Sequence, residues 1–199
     1  VVTDVALAEA AGCAVAEGQV YCWGRAAFGQ IGDGSNAPGV NQTIPLAVET
    51  SPASALPSSP LVTDVEVGAT SACAVHDGRT YCWGTNIAGQ LGADLATGTE
   101  PDTTVVHRAT AVVSTGTGDS ELPSDASVRA LSAGGRGSGG SSWCVLAARP
   151  AEPRRAYCWG AGADGQLGLG SSGDARVPRA VLLHPSSQLP GGVELDWIA

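Results

Sequence analysis

The side chains in this chain best equipped for chemistry are its six cysteines. They fall as Cys13 with Cys22, Cys73 with Cys82 and Cys144 with Cys158. Such a pair can ligate zinc, stay reduced and buried, or oxidise to a disulfide. Structural zinc prefers cysteines about two to four residues apart with a histidine close by. Here eight residues separate the first two pairs and thirteen the third, and His76, His107 and His184 do not accompany them regularly. Glu17-Gly18 and Asp77-Gly78 suit the central positions of tight hairpin turns. Counted back from such turns, Cys13 faces Cys22 and Cys73 faces Cys82 at non-hydrogen-bonded positions, where Cα atoms are about 4.5 Å apart and a disulfide can form. Closing a loop of about ten residues stabilises by roughly 2.5 to 3 kcal/mol, and it demands an oxidising compartment. Reduced thiols and a metal are the competing readings. The third pair, whose loop runs through Arg149, Pro150, Ala151, Glu152 and Pro153, conforms least closely.

Other chemical motifs are weaker. Gly160 to Gly165 spells G-x-G-x-x-G, but Gln-Leu-Gly follows where a dinucleotide-binding motif needs a helix N-terminus. The equivalent stretches, 24–29 and 84–89, lack the middle glycine. There is no G-x-S-x-G elbow, no H-E-x-x-H and no lysine for a Walker A motif. Asp33 and Asp94 near glycines suggest calcium only faintly, since Leu169 stands there in the third copy and a plain turn accounts for them. Asn41-Gln42-Thr43 is a glycosylation sequon of low specificity. A polysaccharide-acting enzyme would need carboxylates such as Asp64, Asp77, Asp94 and Asp164 brought together from separate units. No catalytic, cofactor-binding or metal site is assigned.

The elements that position the cysteines are repeated. YCWGRAAFGQIG at 21–32, YCWGTNIAGQLG at 81–92 and YCWGAGADGQLG at 157–168 share one internal spacing, placing Trp23, Gly29 and Gln30 beside Trp83, Gly89 and Gln90 and beside Trp159, Gly165 and Gln166. Each block follows an alternating apolar segment, at 2–15, 62–75 and more loosely 128–146, and precedes a short strand candidate at 43–48, 109–113 or 177–183. Each unit thus holds about four short strands and no helix. With 28 Gly and 12 Pro, the expected fold is all-β, an array of units of short strands joined by tight turns. The Ser, Gly and Pro-rich stretches 49–60, 114–127 and 134–142 read as loops inserted at the edge. The units are 1–60, 61–127 and 128–192. Residues 193–199 restart the opening segment, so a fourth copy is expected to be cut off, and the absence of Met marks the chain as a fragment or processed product.

Cys-Ala-Val, a hairpin turn, Tyr-Cys-Trp-Gly, four variable residues and Gly-Gln-Leu-Gly together resemble the repeat of the regulator of chromosome condensation family. The chain is most similar to the cysteine-bearing version found in large bacterial surface and secreted proteins, and the resemblance covers nearly its whole length. It implies a β-propeller of four-stranded blades, here an incomplete arc of about three, with further repeats of the same parent chain as neighbours. The fixed Trp and Gln then pack blade on blade and satisfy turn groups. Variation, and with it binding, falls to the loops 25–28, 85–88, 161–164 and the insertions.

The net charge is −9 and the ten basic residues, all Arg, are scattered, so no phosphate-binding surface forms and nucleic acid is not an expected partner. No apolar stretch approaches the roughly 18 residues of a membrane span. The function expected is a non-catalytic protein-binding or surface-scaffold module of a larger exported bacterial protein, located extracellularly, at the cell surface or in the periplasm. No cofactor is expected, and the protein partner is unidentified. Some propellers of this class resemble secreted β-lactamase inhibitors, a special case of the same reading. The alternatives are a guanine nucleotide exchange regulator of a small GTPase, and a polysaccharide-acting enzyme.

Overall fold

The computed structural model describes residues 1–35, 40–95, 105–114, 119–135 and 140–182. Alternating apolar and small residues bounded by glycine turns form strands throughout, and the described residues contain no helix. Three four-stranded antiparallel sheets follow one another along the chain. The first contains β1 (Val2–Leu7), β2 (Ala11–Ala16), β3 (Gln19–Gly24) and β4 (Gln42–Ala47). The second contains β5 (Val62–Val67), β6 (Ser71–His76), β7 (Arg79–Thr85) and β8 (Val105–Ala111). The third contains β9 (Ser127–Gly134), β10 (Ser142–Ala148), β11 (Arg155–Gly160) and β12 (Ala175–Ala180). In each blade the strands lie side by side in sequence order, and the first strands stack, β1 against β5 and β5 against β9.

Turn chemistry sets the register. Glu17, Gly18, Asp77 and Gly78 all take left-handed φ, at 52°, 75°, 48° and 72°, the conformation whose twist matches that of the flanking strands. Ala16 then pairs with Gln19 and Cys13 with Cys22, while His76 pairs with Arg79 and Cys73 with Cys82. The third blade substitutes a longer loop, closed by Glu152 N–H donating to Arg149 O at 3.1 Å with Ala151 at φ 64°. Cys144 still pairs with Cys158.

Two outer strands begin before the apolar runs that mark them in the sequence. β8 starts at Val105 and β12 at Ala175, because an irregularity in the ladder before Gly84 and before Gly160 lets the edge strand run further along its partner. β8 ends at Ala111, beyond which Val112 still donates to Thr80 O of β7 and Val113 turns to Gly92 O, each at 2.9 Å. Within the stretch 134–142, Gly134 ends β9 and Ser142 opens β10, and the two pair directly across the hairpin; residues 136–139 between them lie outside the described residues.

The apolar cores lie between blades. Val15, Val20, Ile31, Val65 and Trp83 share one cluster across the first two blades, and Leu91, Val128, Leu131, Trp143 and Trp159 share another across the last two. The described inter-blade residues 49–60 and 119–126 act as straps. Ser54-Ala55-Leu56-Pro57 and Ser120-Glu121-Leu122-Pro123 each bury their leucine. Ala55 N–H donates to Ala109 O and Glu121 N–H to Pro178 O, both at 2.9 Å, tying each blade to the outer strand of the next. A third copy of this motif, Ser187-Gln188-Leu189-Pro190, lies outside the described residues, as do His184 and the restarted segment 193–199. Leu56→Ala should lower stability by roughly 2 to 4 kcal/mol, the range for emptying a leucine site, measured as a shift in the chemical denaturation curve.

Candidate functional site

The three Gly-Gln turns carry the most regular geometry in the molecule. In each, the glutamine Oε1 accepts the backbone N–H two residues earlier: Phe28 to Gln30 at 2.9 Å, Ala88 to Gln90 at 2.7 Å and Asp164 to Gln166 at 2.9 Å. This folds the turn so that its backbone carbonyl faces the following blade. There the next tryptophan donates its indole N–H, Trp83 Nε1 to Gln30 O at 2.9 Å and Trp159 Nε1 to Gln90 O at 3.1 Å. Both rings lie flat over a glycine. A Cβ at Gly32 would fall 2.7 Å from Trp83 Nε1, and one at Gly92 2.8 Å from Trp159 Nε1, so no side chain fits there. Gln90 Nε2 reaches Thr70 Oγ1 and Gln166 Nε2 reaches Ser142 Oγ, both at 3.5 Å. The first blade has Ala10 and Ala11 at these places, and Gln30 Nε2 is buried without a partner among the described residues.

Sequence reasoning did not anticipate three other parts of the joint. Asp4 Oδ2 accepts Val65 N–H at 2.8 Å and Asp64 Oδ2 accepts Leu131 N–H at 3.0 Å, stitching inner strand to inner strand. The hairpin carbonyls Gly18 O and Gly78 O accept Val62 N–H at 3.2 Å and Val128 N–H at 2.9 Å. Trp143 stands where the other blades have Gly12 and Ala72. Fully buried, it donates to Ser71 Oγ at 3.3 Å. The recurring Val-Thr-Asp-Val at 2–5 and 62–65 was the available signal for the aspartates, and Ser-x-Leu-Pro was the signal for the straps.

The remaining site residues are dispersed. Each cysteine pair sits centrally in its blade with Cα atoms 4.1 Å apart and sulfurs joined, and no described cysteine is free. Asp64 lies on the inner strand β5, Asp77 in a hairpin turn and Asp164 in the exposed turn before Gln166. Asp94 takes a left-handed φ of 48° where Gly34 and Gly170 take 73° and 76°, and Asp33 accepts Ser35 N–H at 3.1 Å; both are turn residues. The described residues hold no group of three His, Cys, Asp or Glu arranged for a metal ion. Gly160 to Gly165 runs from a strand into turns and no helix follows it. Of the variable loop 85–88 only Ile87 is exposed, because Asn86 Oδ1 accepts Leu91 N–H at 3.0 Å and folds the loop onto the joint. His76 is likewise structural, its Nε2 lying 2.9 Å from both Ser59 Oγ and Ser59 O.

Electrostatic tension concentrates at Asp64 and Glu66. Burial pushes Asp64 up to about 6, with the Asp4 charge adding to the rise and the Leu131 N–H opposing it. Burial pushes Glu66 up to about 7, with Asp64 and Asp4 adding to it. The described surface includes two clefts of similar size. One of about 540 Å³ lies at the first hairpins of all three blades, lined by Leu7, Glu9, Val67, Ala69 and Ala133. The other, of about 550 Å³, lies between the outer parts of blades two and three, where Asp119, Glu121, Asp174, Arg176 and Arg179 make it polar.

Four-stranded meanders joined by a tryptophan set on the preceding Gly-Gln turn define an open arc of propeller blades. The sequence model of the regulator of chromosome condensation (RCC1) repeat matches residues 17–75 and 155–191, so these two segments carry the repeat of that family. Among solved structures, that of human WBSCR16 is similar in fold, with a TM-score of 0.63 at 21% identity over 92% of this chain and 40% of that one. The chain therefore spans less than half the length of that protein.

Trp83→Phe, which removes the N–H together with part of the buried indole, should cost at least about 1 to 3 kcal/mol by leaving Gln30 O unpaired and a gap in the joint, read by denaturant titration. The raised carboxyls make stability pH-dependent. Unfolded, they titrate near 3.8 and 4.5; folded, at about 6 and about 7. The folded state therefore holds protons that the unfolded state releases, and stability falls as pH rises through this window. Glu66→Gln should raise the unfolding midpoint at pH 8 and leave it near wild type below the ordinary glutamate value. An equal shift at both pH values would rule out burial of the charge as its cause.

Proposed function

We propose that this chain is a non-catalytic scaffold module that holds a protein-binding surface outside the reducing cytoplasm, with units at 1–60, 61–127 and 128–192 and a fourth opening at 193–199. The reading rests chiefly on one observation: each blade carries a disulfide rung at the centre of its sheet. Such bonds persist in secreted, surface-exposed or periplasmic proteins. The residues constant across the repeats are spent on joints between blades, which leaves recognition to what varies and is exposed: Ile87, residues 163–164, the straps and the third hairpin loop at 149–154. That loop is held in shape by Arg149, which donates to Asp125 Oδ1 at 2.9 Å and approaches Glu152 at 3.4 Å. The carboxylates that gather from different blades, Asp4 and Asp64, serve as acceptors for strand N–H groups, a structural role that counts against an enzyme. No helix among the described residues is long and apolar enough to cross a membrane. The bacterial origin, and further repeats as neighbours, belong to the same proposal.

Intact mass after alkylation of the natively produced protein, with and without prior reduction, tests the export reading. No label before reduction and six after it is the expected result. Six labels without reduction would overturn the export reading and reopen an intracellular propeller, the exchange regulator included.

A further inference from the structure

The second strand of each blade carries a different residue directly opposite the joint tryptophan. Gly12 pairs with Trp23, Ala72 with Trp83 and Trp143 with Trp159. Ala72 lies in the core shared with blade one and Trp143 in the core shared with blade two, and both are fully buried. One joint is thus sealed around a methyl group and the other around an indole, so the surfaces that receive them must differ. They differ at two aligned residues. The turn bond from Ala8 N–H to Ala11 O recurs as Gly68 N–H to Ser71 O, each at 2.9 Å, so blade one presents Ala8 and Ala11 where blade two presents Gly68 and Ser71. Ser71 Oγ accepts the Trp143 indole N–H at 3.3 Å. Gly68 supplies the room. A Cβ built there would fall 3.3 Å from Trp143 Cζ2 and 2.7 Å from Ser141 Cβ, and the same close approach lets Ser141 Oγ accept Thr70 N–H at 3.4 Å.

The rims of the two joints differ in the same sense. Glu49 and Val113 occupy one position, since their N–H groups donate to Gly32 O and Gly92 O. Arg108 and Val177 occupy another, each three residues before the alanine that pairs with the tyrosine of its blade. Across the first joint these positions form an ion pair, Arg108 Nε to Glu49 Oε2 at 2.7 Å; in the second they are Val177 and Val113, both apolar. Blade three set on blade one would therefore drive the Trp143 indole toward the Ala8 methyl and leave its N–H facing Ala11 without an acceptor. It would also strip Glu49, whose side chain is only 22% exposed, of its arginine. A blade with alanine at the position of Trp143, set on blade two, would leave the space beside Gly68 and Ser71 empty. Each wrong pairing carries a penalty that the right one lacks, which is how like surfaces are told apart. Tandem repeats of one fold need such discrimination, because docking on the wrong neighbour is a characteristic failure of repeat chains.

We propose that the face blade two turns to blade three is a socket selective for a repeat with tryptophan at the position of Trp143, and that the corresponding face of blade one excludes such a repeat, so that the joints themselves fix the order of the blades. That order decides which exposed loops stand side by side, but the socket does not depend on what those loops bind. Urea denaturation of the oxidised full chain tests it. Ser71→Ala should lower the midpoint by about 0.5 M or more, and by less than about a third of that in a Trp143→Phe background, where no indole N–H is left to orphan. At the first joint, Ala8→Gly with Ala11→Ser should lower the midpoint when made alone, by opening a gap and adding a hydroxyl with no partner. In an Ala72→Trp background the same pair should instead raise it by about 0.5 M or more. That reversal of sign is what a socket predicts and a general packing role does not. If Ala72→Trp does not fold when made alone, recovery of native near-ultraviolet circular dichroism in the triple variant is the same result. Ser71→Ala costing as much in the Trp143→Phe background, the Ala8→Gly and Ala11→Ser pair lowering the midpoint in both backgrounds, or a triple variant as unfolded as Ala72→Trp would each overturn the proposal.

Discussion

A buried indole must find an acceptor for its N–H, and for Trp83, Trp143 and Trp159 the acceptor lies in the preceding blade. That requirement organises the rest. For Trp83 to reach Gln30 O, the turn must expose a carbonyl that would otherwise be folded inward, and the glutamine side chain does this by taking the turn's own N–H onto Oε1. For the ring to lie close enough, residue 32 must be glycine. Trp, Gln and Gly are therefore a single device split across two blades. Their spacing within a block is rigid because the same block supplies the indole to one neighbour and the turn to the other.

The joint has a direction. Indole N–H groups and inner-strand amides point from each blade toward the one before, and Asp side chains, hairpin carbonyls and Gly-Gln carbonyls receive them. Strap amides run the opposite way, from Ala55 and Glu121 to the outer strands that follow. Opposed donor sets of this kind fix the rotation of blade on blade more firmly than apolar packing alone, which is non-directional. They also make stability a property of neighbours, as in other repeat architectures. Trp23, which has no described blade before it, is half-buried, whereas Trp83 is fully buried against the first blade.

The fold was legible because its determinants are local. Glu17-Gly18 and Asp77-Gly78 name the turn, the turn sets the register, and the register places cysteine opposite cysteine. The chain repeats this logic, so the all-β class and blade count follow from one unit. What was not legible is what depends on neighbours. Asp4 and Asp64 show their role only once the next blade supplies an amide. Leu56 and Leu122 sit in segments whose Ser and Pro content reads as loop, and only their burial reveals the strap. The variable positions 85–88 looked like a surface because they vary, yet Asn86 and Ala88 are buried. Variation there reflects differences between joints.

The disulfides answer a weakness that this design creates. Placing the cores between blades leaves each sheet little apolar mass of its own, and the chain has only one Phe and no Met. A two-stranded hairpin is at best marginally stable in water, so β2 with β3, and β6 with β7, need support before a neighbour docks. A rung at the centre of the sheet supplies it within the blade and limits the unfolded ensemble independently of the joint. Glu66 is tolerated for a related reason: inner strands clamped by aspartate–amide bonds on both sides can carry a carboxyl whose burial holds it near pH 7. Where the scaffold is secured within blades by covalent bonds and between blades by Trp, Asp and strap contacts, its exposed loops are free to change without loss of the fold.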